Sequence, residues 1–183
     1  MLNNKTNILI KTEKEISYMR EAGHIIADIM NKMEAAIEPG LRTIELDNIS
    51  KKEIKRNKVK SAFLGLYDFP NTICVSINDE IVHGIPSSRK LKNGDIISID
   101  AGVIVSGFYS DHAKTFAVGD CTQKEIDLLS DTSESLKLAI DECMSGKFVG
   151  DIGNAVEKFI IPKGYGLVRN YTGHGIGSSL HEP

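Results

Sequence analysis

The sequence predicts an α+β fold built from a unit of helix, helix, strand and hairpin that starts a second time and stops after its strand. Three observations carry this. A capping box at Thr12 opens a long apolar periodicity of helical spacing. The stretch from Ile96 to Phe116 reads as two β-branched strands joined at Ser106-Gly107, a pair suited to a two-residue turn. After Gly119 the helical pattern begins again. The 183 residues suit one domain, 1–183, with a sizeable core.

In chain order, Thr12-Glu13-Lys14-Glu15 supplies the helix start, and Ile16, Met19, Ile26, Met30, Met33 and Ile37 give it one apolar face. Pro39-Gly40 ends it. These methionines are core filler. A second helix runs from about Ile44 to Arg56, and the cluster Lys51, Lys52, Lys55, Arg56, Lys58 and Lys60 is a solvated face. A strand follows at about 72–77, then the loop His83-Gly84-Ile85-Pro86. Lys92-Asn93-Gly94-Asp95 turns the chain into the hairpin. Beyond it, Gln123 to Met144 is a long helix with Ile126, Leu129, Leu136, Ile140 and Met144 inward. Ile152, Val156, Phe159 and Ile160 mark another helix, and Gly166–Tyr171 a strand.

A net charge of −3 gives no electrostatic case for nucleic acid or an anionic membrane. Cys74, Cys121 and Cys143 are odd in number and widely spaced, as reduced thiols of a cytoplasmic protein are. The opening residues match neither an export signal nor a membrane span.

The chemistry concentrates in the hairpin. With Ser106-Gly107 as the turn, Val105 faces Phe108 and Gly102 faces Asp111. Asp100, two residues from Gly102, then points to the same face as Asp111. The carboxylates become diagonal neighbours, roughly 7 Å apart at Cβ. Two like charges on an apolar face repel and lose water unless a cation lies between them, which makes a divalent metal site. The plainer alternative puts one Asp on each face, or pairs both with Lys or Arg, and a one-residue slip would produce it. Gly173-His174-Gly175-Ile176-Gly177 with His181 is the other conspicuous stretch, where the missing side chains let a metal or substrate approach the backbone.

Several stretches together resemble one family, the type I methionine aminopeptidases of the pita-bread metallopeptidases. They are Ile10-Lys11-Thr12, Phe69-Pro70 with Cys74-Val75-Ser76-Ile77-Asn78, His83-Gly84-Ile85-Pro86, Gly94-Asp95-Ile96 into Ile99-Asp100, Gly107-Phe108 with Asp111, and Thr172 to Gly177. The resemblance implies a pseudo-twofold fold, with helices covering a curved, mainly antiparallel sheet. It implies two divalent metal ions (Co, Mn, Fe or Zn) held in part by Asp100, Asp111 and His174. It places His83 and His181 around the scissile peptide, and Leu66, Phe69 and Cys74 on the wall of the methionine pocket. Leu66 stands where the family often has an aromatic.

The implied reaction is removal of the initiator methionine from nascent chains near the ribosome. It uses water whose pKa falls from about 15.7 to about 7 on the metals. The resemblance also implies a cytoplasmic monomer with no specific nucleic-acid or membrane partner. The family's two glutamate ligands have no match in these residues, since Glu182 adjoins His181 in a segment that holds no ligand. The expectation is therefore a catalytic domain lacking its C-terminal part, with weak or absent activity by itself. A non-catalytic binding module of the same fold and an aminopeptidase P or prolidase-like peptidase are the competing readings.

Overall fold

The structure is a computed structural model and describes residues 8–183. The expectation that no export signal opens the chain falls partly on Met1–Asn7, which lie outside the described residues. Among the described residues no helix is long and apolar enough to cross a membrane.

Two compact units emerge, one made of the residues up to Asp120 together with His174–Pro183, the other of Cys121–Gly173. In the first, helix α1 (Glu13–Glu34) starts at the expected capping box, with the Glu15 carboxylate accepting from the Thr12 N–H at 2.7 Å. It stops at Glu34, before Pro39, because Ala36 and Ile37 donate to the Met33 and Glu34 carbonyls and tighten the last turn. Its buried face is Ala22, Ile26, Ile29, Met30 and Met33. Helix α2 (Thr43–Arg56) begins one residue before the expected Ile44, and the basic residues on its end and just beyond it, from Lys51 to Lys60, are exposed as expected.

The strands are β1 (Lys60–Ser61), β2 (Ile73–Ile77), β3 (Ile96–Ala101), β4 (Val103–Val105), β5 (Phe108–Tyr109) and β6 (His112–Ala117). They form two antiparallel sheets, ordered β1-β4-β5 and β2-β3-β6. The hairpin crosses from one sheet to the other at Gly102, so its tip pairs with β1 while its base pairs with β2. Ile73, Val75, Ile77, Ile97, Ile99 and Ala101 project into the core shared with α1 and α2. The alternate residues Cys74, Ser76, Ser98 and Asp100 point to the opposite face.

Below the start of β2 lies a buried polar node. Asp47 on α2 accepts from the Asn71 amide at 2.7 Å, the Thr72 N–H at 2.8 Å and the Thr72 hydroxyl at 2.7 Å, and pairs with Lys51 at 2.6 Å. Burial pushes its carboxyl up, but the bonds from Lys51, Asn71 and Thr72 outweigh that and hold it below the usual carboxylate range.

In the second unit, α3 (Gln123–Asp141) and α4 (Val149–Ile160) pack on each other. Two expectations fail here. Ile126, Leu136, Ile140 and Met144 are exposed, because α3 buries its other, smaller stripe around Ser135 and Ala139. Gly166–Tyr171 forms no strand, since no described segment offers it a ladder of hydrogen-bond partners.

Replacing Asp47 by Asn should lower the unfolding free energy by about 2 kcal/mol at neutral pH, read by urea denaturation. A depressed folded-state pKa gives stability that is present above the unfolded value of about 3.9 and lost as pH falls through the folded value. The gap between native protein and D47N should therefore close in acid.

Candidate metal and peptide site

Ser106 and Gly107 both take positive φ, +50° and +87°, the type I′ geometry that matches strand twist. Val105 pairs with Phe108 and Ile104 with Tyr109, and the same register continues through Ala101–His112 and Asp100–Ala113. Asp111 is thereby carried opposite Gly102, on the face that Asp100 shares. That face differs from the expected apolar one: it is small and polar, with Cys74 beside Asp100 and a Ser98–Thr115 hydroxyl bond of 2.8 Å.

Asp100 is the most perturbed carboxyl of the group. Its Oδ1 is shut off from solvent and has no hydrogen-bond partner. Burial first, then the charge and hydrogen bond of Asp111, push it up to about 7, against a smaller downward pull from the Ala101 amide. The same surroundings push the Cys74 thiol up to about 12, through burial and then the charges of Asp100 and Asp111.

The glycine-rich stretch returns to this edge. His174 Nε2 lies 3.7 Å from an Asp111 carboxylate oxygen, and its Nδ1 is 2.8 Å from the Gly175 carbonyl. A carbonyl only accepts, so Nδ1 is the nitrogen that donates to Gly175, and Nε2 is the one that faces Asp111. The His181 ring stands edge-on to His174, with centroids 4.5 Å apart. His83 is exposed, at φ +62°, on a loop tied to β2: Val75 donates to the Gly84 carbonyl at 2.8 Å. A Cβ at Gly84 would collide with the Val75 carbonyl, so only glycine lets this loop lie so near the strand.

Leu66, Phe69 and Cys74 meet in one apolar cluster with Ala62, Phe63, Ile104, Tyr109, Ile176 and Leu180. Leu66 sits in a short 3₁₀ turn closed by the Phe69 N–H donating to its carbonyl at 2.9 Å. The sequence reading missed Phe63, Tyr109 and Leu180. Tyr109 was available from strand alternation, two residues from Asp111, whereas Phe63 and Leu180 join only through tertiary folding.

The donor set fits part of a divalent metal site. An orphaned, solvent-shielded carboxylate oxygen beside a second carboxylate is costly without a cation, and a fixed imidazole tautomer is what a ligating histidine needs. The three donors meet in pairs through Asp111, and among the described residues no three His, Cys, Asp or Glu side chains already converge on one point. A separate cavity of about 410 Å³, lined by Asp127, Ser130, Asp131, Lys163 and Tyr165, lies in the second unit and contains none of these residues.

Residues 17–183 match the model of metallopeptidase family M24, and the chain belongs to that family. It is 42% identical over 176 residues to the methionine aminopeptidase of Clostridium acetobutylicum, across 96% of this chain and 70% of that protein. It is similar in structure to methionine aminopeptidase from Rickettsia prowazekii, with a TM-score of 0.94 and 36% identity over 96% of this chain and 71% of the other. A Xaa-Pro dipeptidase from Bacillus anthracis is less alike, with a TM-score of 0.79 and 26% identity over 96% of this chain and 48% of that one. The fold is the pita-bread arrangement of these metallopeptidases, with about 70% of the relatives' length present.

Iodoacetamide at about pH 8 should alkylate the exposed Cys143 and leave Cys74 unmodified in the folded protein, as read by peptide mass mapping. Fast labelling of Cys74 would mean that the cluster over it is open.

Proposed function

We propose that the protein is a metal-dependent methionine aminopeptidase whose site is built on Asp100, Asp111 and His174, within one catalytic domain. The observation that supports it most directly is the orphaned Asp100 oxygen beside Asp111, with His174 Nε2 turned toward Asp111 at 3.7 Å. Co, Mn, Fe and Zn all suit a set of carboxylates and imidazole. Bound there, such ions supply Lewis-acid polarisation and an acidified water.

The chain's own residues do the remaining work. Leu66, Phe69 and Cys74 receive the methionine side chain, where each methylene contributes about 1–3 kcal/mol of discrimination. Cys74 stays a neutral thiol at working pH, so that wall remains uncharged. His181, next to His174, and His83, on the β2 loop, donate N–H groups to the scissile carbonyl and orient the peptide. Such donors are worth about 3 kcal/mol each in comparable oxyanion sites. The substrates are nascent chains with N-terminal Met, met in the cytoplasm by a monomer near the ribosome.

The test is cleavage of Met-Ala-Ser by the native protein with added Mn²⁺ or Co²⁺. Asp100→Asn should lower kcat/KM at least about a thousandfold, because one donor and its charge are lost together. Unchanged turnover would remove Asp100 from the ligand set. Cleavage of X-Pro peptides instead would favour the dipeptidase-like reading, and metal binding without any cleavage would favour a binding module. For the 183 residues alone, calorimetric titration with Mn²⁺ should show weaker retention than in the native protein wherever the latter is longer.

A further inference from the structure

We propose that Lys11 is a positioning residue of this site, acting through Glu182 on the loop that carries His174 and His181. The inference rests on the peptidase reading for its consequence in catalysis, though not for its geometry.

The loop is a small hairpin closed by one bridge. Gly175 and Glu182 exchange N–H···O bonds of 2.8 Å in both directions, and each histidine directly precedes one of the bridged residues. That bridge sets how far apart the two rings stand, but it does not anchor them to the sheet. Two contacts do. Tyr109 on β5 donates to the Gly177 carbonyl at 2.8 Å, and the Lys11 ammonium pairs with Glu182.

The ion pair is built rather than incidental. Its side chains are only 19% and 7% exposed. The other Glu182 oxygen accepts from the Ser178 N–H at 2.8 Å and its hydroxyl at 3.2 Å, so the carboxylate is held at both ends. Lys11, which directly precedes the Thr12 cap that fixes the start of α1, also donates to the Leu9 carbonyl at 3.0 Å. Gly177 completes the arrangement. A Cβ there would lie 2.6 and 2.8 Å from the two Glu182 oxygens and against Lys11 Cε, so any side chain must displace the pair. The segment leading into α1 thus braces the histidine loop through Glu182, with Lys11 itself outside the proposed ligand and substrate residues.

The experiment compares the native protein with Lys11→Met and Lys11→Arg. Two readouts are taken: kcat and KM on Met-Ala-Ser with Mn²⁺, and the proton Overhauser effect between the His174 and His181 rings in metal-free protein. K11M should lower kcat about tenfold or more, with KM within about twofold, because the loop shifts while the methionine pocket stays. It should also weaken the ring–ring signal. K11R, which keeps the cation, should restore both. A K11M protein that keeps both readouts, or a K11R protein that falls as far as K11M, overturns the proposal. So does global unfolding of K11M by circular dichroism, since the brace would then be general rather than local. Native protein that cleaves no Met-Ala-Ser sinks the peptidase reading separately, because the ring signal is read without turnover.

Discussion

Everything at this site follows from two carboxylates placed side by side where one of them has lost water. Burial and the neighbouring charge of Asp111 both work against ionisation of Asp100, and a cation between the two carboxylates would relieve both. The fold accepts this cost in a tight hairpin whose turn residues leave little freedom of register. A one-residue slip would send Asp100 into the core among Ile97 and Ile99, and bring those isoleucines out to the polar face.

Strand β2 is where the remaining demands meet. Its odd-numbered residues fill the core, and Cys74 and Ser76 line the working face. Its outer edge carries the His83 loop through Val75. Thr72, the residue just before it, is held by Asp47 from α2. Every residue of β2 is buried, so the strand has little room to adjust, and the groups attached to it inherit that rigidity.

How much of this the sequence discloses depends on the range of the forces involved. Turn chemistry at Ser106-Gly107 and side-chain alternation are local, so the shared face of Asp100 and Asp111 was legible in advance. So was α1, from its capping box. The polarity of the carboxylate face was less accessible, because it is set by Ser76, Ser98 and Thr115 arriving from three strands. The α3 stripe misled because both of its faces carry apolar residues, and periodicity alone does not say which one a neighbour will cover. Gly166–Tyr171 has strand-like composition, but composition cannot provide a partner strand. The roles of His83, His181, Leu66, Phe69 and Cys74 came from the resemblance alone.

The Lys11–Glu182 pair joins residues 171 positions apart. Closing a ring of that size in an open chain costs roughly 4.5 kcal/mol of entropy, more than a single partly exposed ion pair returns. The pair therefore cannot gather the chain during folding. It depends on the sheets and helix α1 to bring its ends together. The placement of the two imidazoles is therefore a product of the whole first unit and not of the short stretch of chain around them.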